Sequence, residues 1–402
     1  MSVQIDIYSP EIFVPGVPHE QFRWLRDNAP VHYTAVDVPD EGPGFWSFTR
    51  FEDIVRASKD YKTFANGGGT NIHEPVQGVN LMLINQDPPD HTRLRATVSK
   101  GFHPKMIAAL EQHIRDIVTR ILDRVAPKGE CDFVTDIAAE LPLEVIAEFM
   151  GVPVEDRHKI FTWSNTMIAQ GGDPEYGATI EDATRAFFEM SDYANWLAEQ
   201  RRQGPKDDLV TKIISAEIDG EKLTELEYDM FFVMLAIAGN ETTRNLISGG
   251  MRALIEHPEQ RRLLLEDHSL FGNAVEEMLR WVTPVMHFRR TTACEVTVHD
   301  QTIGPGEKVL LWYASGNRDG RSFDEPDAFD VRRTPNPHVT FGAGGPHFCL
   351  GFSLAQLEIR VMFEELLRRM PDMEFDGEIQ RLHSNFINGI RHMPVRFTPE
   401  RV

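Results

Sequence analysis

The stretch HVTFGAGGPHFCLGFSLAQ, residues 338–356, places a single cysteine between a glycine-rich loop and a helical pattern. Three glycines precede Cys349 and a fourth, Gly351, follows it, so the backbone can fold tightly around the sulfur. The residues from Phe352 onwards favour a helix, which puts Cys349 at or just before the helix N-terminus. Unpaired N–H groups and the positive end of the helix dipole stabilise an anion there. The sequence therefore predicts a Cys349 thiolate, which can attack a substrate or bind a metal.

The neighbours of Cys349 limit what such a thiolate can do. His347 is the nearest candidate base, but two residues on one turn are poorly placed for mutual contact. These two side chains are also too few to hold a structural zinc ion. A single axial thiolate is sufficient, however, when a porphyrin supplies the other four ligands of a metal. Cys131 and Cys294 are interpreted as ordinary small hydrophobic residues.

The composition excludes several classes of protein. The chain has 402 residues, 41% of them hydrophobic, and a formal net charge of −21, which disfavours a nucleic-acid partner. The longest uncharged apolar run in a helical pattern, Met230–Ala238, is too short for a transmembrane segment, and the N-terminus lacks the pattern of a signal peptide. Three cysteines are too few for a disulfide framework and are typical of a reducing compartment. We therefore expect a cytoplasmic protein without a transmembrane segment.

Hydrophobic periodicity predicts a mainly α fold with a small β portion. Residues Met106–Ala126 and Ala186–Gln203 repeat at helical spacing, whereas strand-like alternation is confined to short pieces such as Glu295–Asp300 and Lys308–Ser315. No internal repeat or serine-rich linker divides the chain. We expect one domain that spans residues 1–402.

The longest helical pattern contains an unusual polar segment. It runs from about Thr224, with Glu227 completing a capping box, to about His257, where Pro258 follows. Its first half is apolar on almost every side, and then comes AGNETTRN, residues 238–245. Such residues are costly inside a buried helix. Either the helix emerges into solvent at this point, or a kinked segment faces a ligand.

Three separated motifs together resemble the cytochromes P450, particularly the soluble bacterial ones. They are GGPHFCLG at 344–351, AGNET at 238–242 and EEMLR at 276–280. The resemblance implies the P450 fold, a helical prism around a buried haem, and a single haem-thiolate monooxygenase domain. It implies haem b, iron protoporphyrin IX, as the cofactor, with Cys349 as the axial ligand of the iron.

The same resemblance assigns further residues to the haem. The implied haem-binding residues are His91, Arg95, Ala238, Gly239, Arg289, Phe341, His347, Cys349 and Gly351. His91, Arg95 and Arg289 would reach the haem propionates, which are carboxylates that need charged or N–H donors. The small Ala238 and Gly239 would leave room for oxygen beside the long helix.

Structural and catalytic pairs follow from the same comparison. Glu277 and Arg280 match the family's Glu-x-x-Arg pair, and we favour Arg333 over Arg332 as the arginine that completes their network. Glu241 and Thr242 are the implied catalytic acid–alcohol pair, which delivers protons to oxygen.

Two departures from the family pattern stand out. Phe341 lies one residue further from the cysteine than is usual, which implies a one-residue insertion, and Ala328 replaces a usual arginine.

The implied substrate is an apolar small molecule, and the implied partners are dioxygen and a separate ferredoxin with its reductase. The sequence is similar to a subset that oxidises sterol side chains and methyl-branched lipids, and terpenoid hydroxylases share parts of the pattern. Cavity walls are expected from residues 66–85, the long helix, Val285–Phe288 and Phe386–Asn388, with Trp163–Tyr176 as a lid. A basic patch for the ferredoxin is expected from Arg93, Lys100, Lys105 and Arg360.

Three functions remain open at this point. The first is a dioxygen-dependent monooxygenase that receives electrons from a ferredoxin. The second is a haem-thiolate enzyme that uses peroxide or rearranges its substrate, and the third is a non-catalytic haem-binding sensor or carrier. The pair Glu241–Thr242 favours the first, because the other two functions do not need a proton pathway.

Overall fold

The computed structural model describes residues 5–38, 42–73, 81–102, 104–168, 179–218 and 221–400. The α-helices assigned within these ranges are α1 His19–Asn28, α2 Phe51–Lys59, α3 Asp90–Ser99, α4 Pro104–Ala108, α5 Glu111–Val125, α6 Glu140–Met150, α7 Arg157–Ile168, α8 Ile180–Gln203, α9 Leu209–Ile214, α10 Glu225–Glu256, α11 Pro258–Glu266, α12 Phe271–Val282, α13 Tyr313–Gly316 and α14 Phe352–Arg369. The strands are β1 Val31–Ala35, β2 Gly44–Phe48, β3 Phe64–Ala65, β4 Glu130–Asp132, β5 Glu217–Ile218, β6 Glu221–Lys222, β7 Phe288–Thr292, β8 Val296–Val298, β9 Gln301–Ile303, β10 Lys308–Leu311, β11 Glu374–Phe375, β12 Gln380–Arg381, β13 Ile390–His392 and β14 Pro394–Arg396.

The 32-residue helix α10 lies at the centre of the helical part and packs on α6, α7, α8, α12 and α14. Its predicted ends are confirmed. The side chain of Thr224 accepts a hydrogen bond from the N–H of Glu227, and the Glu227 carboxylate accepts one from the N–H of Thr224, while His257 is the C-cap. The helix continues without interruption through residues 238–245, so its polar segment is part of the buried helix rather than an exit into solvent.

The main sheet joins parts of the chain that lie far apart in sequence. Its strand order is β1-β2-β10-β7-β3, in which β10 pairs in parallel with β2 and antiparallel with β7. The predicted strand segments contain β8 and β10, and the turn at residues 304–307 precedes β10 as expected. A smaller sheet has the order β11-β14-β4, and it brings the C-terminal strands onto residues 130–132.

One predicted helix is divided in two. The apolar period of Met106–Ala126 continues across α4 and α5, but the backbone between them tightens. There the N–H of Leu110 bonds to the carbonyl of Ile107, three residues back instead of four. Because the side-chain pattern is unbroken across this turn, periodicity could not locate it.

A buried ion network between α12 and the segment that contains Arg333 follows the predicted pairing. Arg280 donates two hydrogen bonds to the fully buried carboxylate of Glu277, at 2.7 Å each, and Arg333 donates a third at 3.1 Å. Arg332 instead points outward to Asp330, so the choice of Arg333 is confirmed. The main-chain carbonyl of Ala328 accepts from both Arg280 and Arg333, so the backbone at this position contributes although the usual arginine is missing.

Candidate active site

The glycine-rich loop holds Cys349 at the start of α14. Gly342, Gly344 and Gly345 all have left-handed backbone angles, with φ of 80°, 88° and 82°, which glycine adopts without steric cost. The N–H of Cys349 donates to the carbonyl of Phe341 at 2.9 Å, and the Phe341 ring lies near the rings of Phe348 and Phe352. The helix begins at Phe352 with Gly351 as its N-cap, which confirms the predicted position of the cysteine.

Opposing effects act on the pKa of the Cys349 thiol. Burial raises the pKa of Cys349 above its ordinary value, and a backbone N–H of Gly351 and the charge of Arg95 oppose this effect only in part. Desolvation of the sulfur therefore opposes the thiolate that the helix N-terminus favours, and the thiolate stays a prediction. Coordination to a metal removes the thiol proton outright, so the site is consistent with a metal ligand.

The central helix α10 presents one open side. Ala238 is exposed and Thr242 is half-buried, although the residues around them on the helix are mostly buried. The two residues are one helical turn apart on the same face, so this face of α10 is not covered by other parts of the protein. The hydroxyl of Thr242 donates to the carbonyl of Ala238 at 2.8 Å.

Gly239 has a different role from the one predicted. A Cβ atom at Gly239 would lie 3.0 Å from the side chain of Ile146 on α6. The space that this glycine leaves is therefore used for the close packing of α10 on α6, and it does not add to the open side of α10 at Ala238. The room predicted at Gly239 is thus filled by Ile146, and a contact of its backbone with the haem stays a prediction.

Two histidines beside the loop have nitrogens without partners. His91 is buried with both ring nitrogens unpaired within the described structure, and Nε2 of His347 is unpaired as well. The two ring centroids are 4.1 Å apart. Burial, reinforced by the nearby Arg95, lowers the pKa of His91 to about 4 and that of His347 to about 2. Arg95 also donates to the carbonyl of Phe348 at 2.6 Å, so a cationic, donor-rich corner faces the loop and suits a carboxylate ligand.

The arginine that completes this corner is one residue further along β7 than predicted. Arg289 and Arg290 are both buried, and consecutive residues of a strand point to opposite faces. Arg289 donates to the carbonyl of His73 at 3.4 Å, whereas the positive charge of Arg290 acts on His347. The geometry therefore favours Arg290, which the sequence analysis passed over, in place of Arg289.

Glu241 lies buried beside the open face of α10. Its carboxylate pairs with Arg244, one turn further along the helix, through Oε2. The other oxygen, Oε1, is buried and has no partner among the residues that the structure describes. Burial raises the pKa of Glu241, and Arg244 and Asn245 oppose that rise. This oxygen is available to a water molecule or a transferred proton.

The donor set fits a porphyrin better than a protein-only metal site. Within the described ranges, no group of three or more His, Cys, Asp or Glu side chains could hold a metal ion. Cys349 would therefore be the protein ligand, with the remaining ligands supplied by the cofactor. A Cβ atom at Gly351 would meet no protein atom within 4 Å, so there is open space beside the loop. The unpaired His91 and His347 nitrogens fit carboxylates at the edge of such a group.

Comparison with known proteins identifies the family. A sequence profile described as cytochrome P450 matches residues 51–376. The chain belongs to the cytochrome P450 family. This P450 is 40% identical to a steroid C26-monooxygenase of Mycolicibacterium smegmatis, in an alignment that covers 98% of the chain and 93% of the relative. It is 39% identical to a methyl-branched lipid omega-hydroxylase of Mycobacterium tuberculosis, over 94% and 90% of the two chains.

Solved structures agree with this P450 assignment. A cytochrome P450 of Mycobacterium marinum in complex with pseudoionone superposes with a TM-score of 0.92, at 37% identity and with 98% of both chains covered. The predicted fold and enzyme class are confirmed: this chain is a haem-dependent monooxygenase of an apolar small molecule. Among the described helices, none combines the length and hydropathy that crossing a bilayer requires.

The structure tests two expectations about the surroundings of the site, the lid and the basic patch, only in part. The proposed lid lies largely outside the described residues, which include only its first part, within α7. Two of the four residues of the expected basic patch form ion pairs: Arg93 pairs with Glu227, and Arg360 pairs with Glu111 and Glu364. A strongly positive docking surface is therefore not formed by these two arginines.

Proposed function

We propose that this P450 hydroxylates an apolar molecule at the end of a branched chain, such as a steroid side chain, a methyl-branched lipid or a terpenoid. The names of two groups of relatives, steroid C26-monooxygenase and methyl-branched lipid omega-hydroxylase, both refer to the end of such a chain. A similar structure holds pseudoionone, which is itself a branched isoprenoid chain. An elongated cavity above the haem would select the terminal carbon by position.

The observation that carries the proposal is the pair of neighbouring rings of His91 and His347 beside Cys349, which have ring nitrogens without a partner among the described residues. We infer that the loop of Cys349 and the open face of α10 at Ala238 and Thr242 face each other. In our proposal haem b occupies the space between them. When bound, a haem with a thiolate ligand supplies the activation of dioxygen.

Residues of the chain would then hold a water molecule, deliver protons and orient the cofactor. The Thr242 hydroxyl is held by the Ala238 carbonyl and can hold a water molecule beside the oxygen site. Oε1 of Glu241, the residue before Thr242, has no partner among the described residues, so it can pass protons towards that water. His91, Arg95, His347 and Arg290 would bind the propionates and fix the orientation of the cofactor.

We also propose a separate ferredoxin as the electron donor, and a cytoplasmic location for one domain of residues 1–402. The three cysteines are free, which is in keeping with a reducing compartment. Strands β2 and β10 pair in one sheet although more than 250 residues separate them, which supports a single domain. Because the arginines of the docking face are already paired, we expect the ferredoxin to bind with a weak dependence on salt.

A binding and turnover screen tests the proposed function. The purified holoenzyme is titrated with cholesterol, pseudoionone and a methyl-branched fatty acid, and a low-to-high spin shift of the ferric haem reports binding. Turnover is then measured with a ferredoxin, its reductase and NAD(P)H. Product hydroxylated at a chain end supports the proposal, and absence of binding by all three molecules contradicts it. Product formed with peroxide alone would favour the alternative, a peroxygenase.

The metal ligand has its own test. Replacement Cys349→His should abolish the red-shifted Soret band of the ferrous–CO adduct, because that band requires a thiolate ligand. If the band survives in this variant, another residue binds the iron and the arrangement proposed above is wrong.

A further inference from the structure

The polar segment of α10 is satisfied by contacts to two different neighbours. On one side, Asn240 donates to Ser164 at 3.4 Å and Arg244 donates to Asn165 at 3.3 Å, and both partners belong to α7. Asn245 makes contacts in another direction. The segment therefore ties one stretch of α10 to α7 on one side and to a second element on the other.

Asn245 lies on the same side of α10 as Ala238 and Thr242. At about 100° per residue, it is within about 20° of Ala238 and about 60° of Thr242 around the helix axis. Its side chain is nevertheless buried, because a second element covers it. Nδ2 donates to the main-chain carbonyl of Glu241 at 2.9 Å, and Oδ1 accepts from the N–H of Ile390 at 3.3 Å.

The covering element is the segment 384–390, which we call the C-terminal loop. It pairs with the segment expected to form a cavity wall, through a bridge between Val285 and Ile387 and a 2.9 Å bond from the N–H of Met286 to the carbonyl of Phe386. A Cβ atom at Gly389 would lie 2.9 Å from Oδ1 of Asn245. The loop therefore contacts α10 closely at Asn245, and a glycine is required for this approach.

We propose that Asn245 is a positioning residue that couples the C-terminal loop to the turn of α10 that carries Glu241 and Thr242. The inference rests on the proposed function, in which the turn delivers protons, and on the sequence expectation that Phe386–Asn388 of the loop forms part of the substrate cavity. A substrate that moves the loop changes the bond from Ile390 to Asn245, and the same amide group holds the carbonyl of Glu241. Substrate occupancy is in this way transmitted to the proton-delivering pair.

The amide is suited to this task because it has both a donor and an acceptor on one rigid group. Both bonds are buried, so neither main-chain partner can turn to water when the amide moves. A shift of the loop must therefore either break a bond or move the helix carbonyl. Asn240 is a matched comparison, because it is also a buried asparagine of α10 but contacts only α7 in the hydrogen bonds described.

The test uses hydrogen–deuterium exchange of the holoenzyme with imidazole, a ligand of haem iron that occupies the space against α10. In the wild type and in Asn240→Ala, imidazole should slow exchange in residues 238–245 and in the C-terminal loop, by about fivefold or more. In Asn245→Ala, the effect on 238–245 should remain and the effect on the loop should disappear. Equal protection of the loop in Asn245→Ala, or none in the wild type, overturns the proposal.

A second variant guards against a merely structural effect. Gly389→Ala retains the amide but pushes the loop away from it, so it should also lose the protection of the loop. If Asn245→Ala does not fold, this variant decides alone. A merely structural role of Asn245 would lower stability in both variants without changing how the loop responds to imidazole, and that result contradicts the coupling.

Turnover separates the inference from the proposed function. With pseudoionone or cholesterol, Asn245→Ala should keep the affinity of the spin shift within about twofold but lower the product formed per NAD(P)H by about fivefold or more. Unchanged product yield overturns the coupling. If no probe binds to the wild type, the proposed function fails, whereas the exchange experiment with imidazole still decides the role of Asn245.

Discussion

The hydroxyl of Thr242 is the polar side-chain group that α10 places on its open face beside Ala238. Replacement Thr242→Ala should leave consumption of NAD(P)H largely intact but divert electrons to hydrogen peroxide, because the water that relays protons loses its holder. We expect the product yield per NAD(P)H to fall by at least about tenfold, which corresponds to about 1.4 kcal/mol. The measurement is product and peroxide against NAD(P)H consumed.

The control for this prediction is Thr242→Ser, which retains the hydroxyl and should recover most of the yield. If Thr242→Ala forms product as efficiently as the wild type, the hydroxyl has only the helical role that its bond to the Ala238 carbonyl describes.

Arg333 and Arg332 form a matched pair for a test of stability. Arg333→Ala removes one partner of the buried Glu277 and three hydrogen bonds to main-chain carbonyls, so the free energy of unfolding should fall by about 3 kcal/mol. Arg332→Ala removes one exposed ion pair with Asp330 and should change the free energy of unfolding by less than about 0.5 kcal/mol. Urea denaturation of both variants checks this, and similar losses in the two would show that the network does not depend on Arg333.

The roles of single residues were predictable where a sequence motif identifies them. They were less predictable where the role depends on which side of a strand or helix the side chain points to. The position of Cys349 before α14 followed from the glycine-rich stretch and the helical pattern after it, and the choice of Arg333 followed from the family resemblance. Arg290 was missed because two adjacent arginines look alike in sequence, whereas the strand turns them to opposite sides. Asn245 gave no signal, since its partner, Ile390, lies 145 residues away.

Among the elements, the glycine-rich loop before Cys349 packs closely against α2, and its position depends on this contact. A Cβ atom at Gly345 would lie 2.2 Å from the carbonyl oxygen of Ser58, and the φ of Gly345 is 82°. Gly345→Ala should therefore displace the loop, lower the free energy of unfolding by at least about 1–2 kcal/mol, and reduce the haem retained after purification. Thermal unfolding and the Soret-to-protein absorbance ratio measure the two effects.

Gly272 provides the comparison for that variant. It lies within α12, and a Cβ atom there would meet nothing within 4 Å. Gly272→Ala should leave haem content unchanged and raise stability by up to about 1 kcal/mol, because alanine favours the helix. Equal haem loss in both variants would mean that the contact with Ser58 does not hold the loop.

The ends of elements were predictable where capping chemistry marks them. Thr224 and His257 bound α10 as the sequence indicates. The division between α4 and α5 was not predictable, because the apolar period continues across it. The neighbour that fills the room at Gly239 was not predictable for a related reason: a glycine in a helix shows that something comes close, but the sequence does not say whether that is a ligand or, as here, Ile146.

At the scale of the whole molecule, a buried histidine makes stability depend on pH. His287 is fully buried against Trp312 and Phe386, and its ring nitrogens have no partner in the described part of the chain. Burial, with a smaller contribution from His73, lowers its pKa from 6.5 to about 3. As pH falls below 6.5, this histidine is protonated in the unfolded chain but stays neutral in the folded protein. The free energy of unfolding therefore decreases towards acid pH, by about 1.4 kcal/mol per pH unit from this group.

His287→Phe should reduce that acid sensitivity. Between about pH 7.5 and about pH 5 the variant should lose about 2 kcal/mol less of its free energy of unfolding than the wild type does. Urea denaturation at the two pH values measures the difference, with the exposed His158→Gln as the control. Parallel losses in the wild type and His287→Phe would contradict a neutral, buried His287.

The architecture as a whole was predictable as a class, and its contacts were not. Periodicity indicated a mainly α chain with a small β portion, and the three motifs indicated the family, as the comparisons confirm. The charge balance of the docking face was not predictable, because ion pairs such as Arg360 with Glu111 join residues 249 positions apart. Local pattern records propensity, and such pairings depend on the complete fold.

The parallel pairing of β10 with β2 has a consequence for synthesis of the chain on the ribosome. Strand β2 has Val309–Leu311 as its neighbour on one side, so a nascent chain that ends before these residues carries β2 with that edge open. Open strand edges invite pairing with other chains. We therefore expect translation that stalls in the middle of the message to yield aggregating fragments that chaperones bind, whereas release of the last quarter of the chain closes the edge.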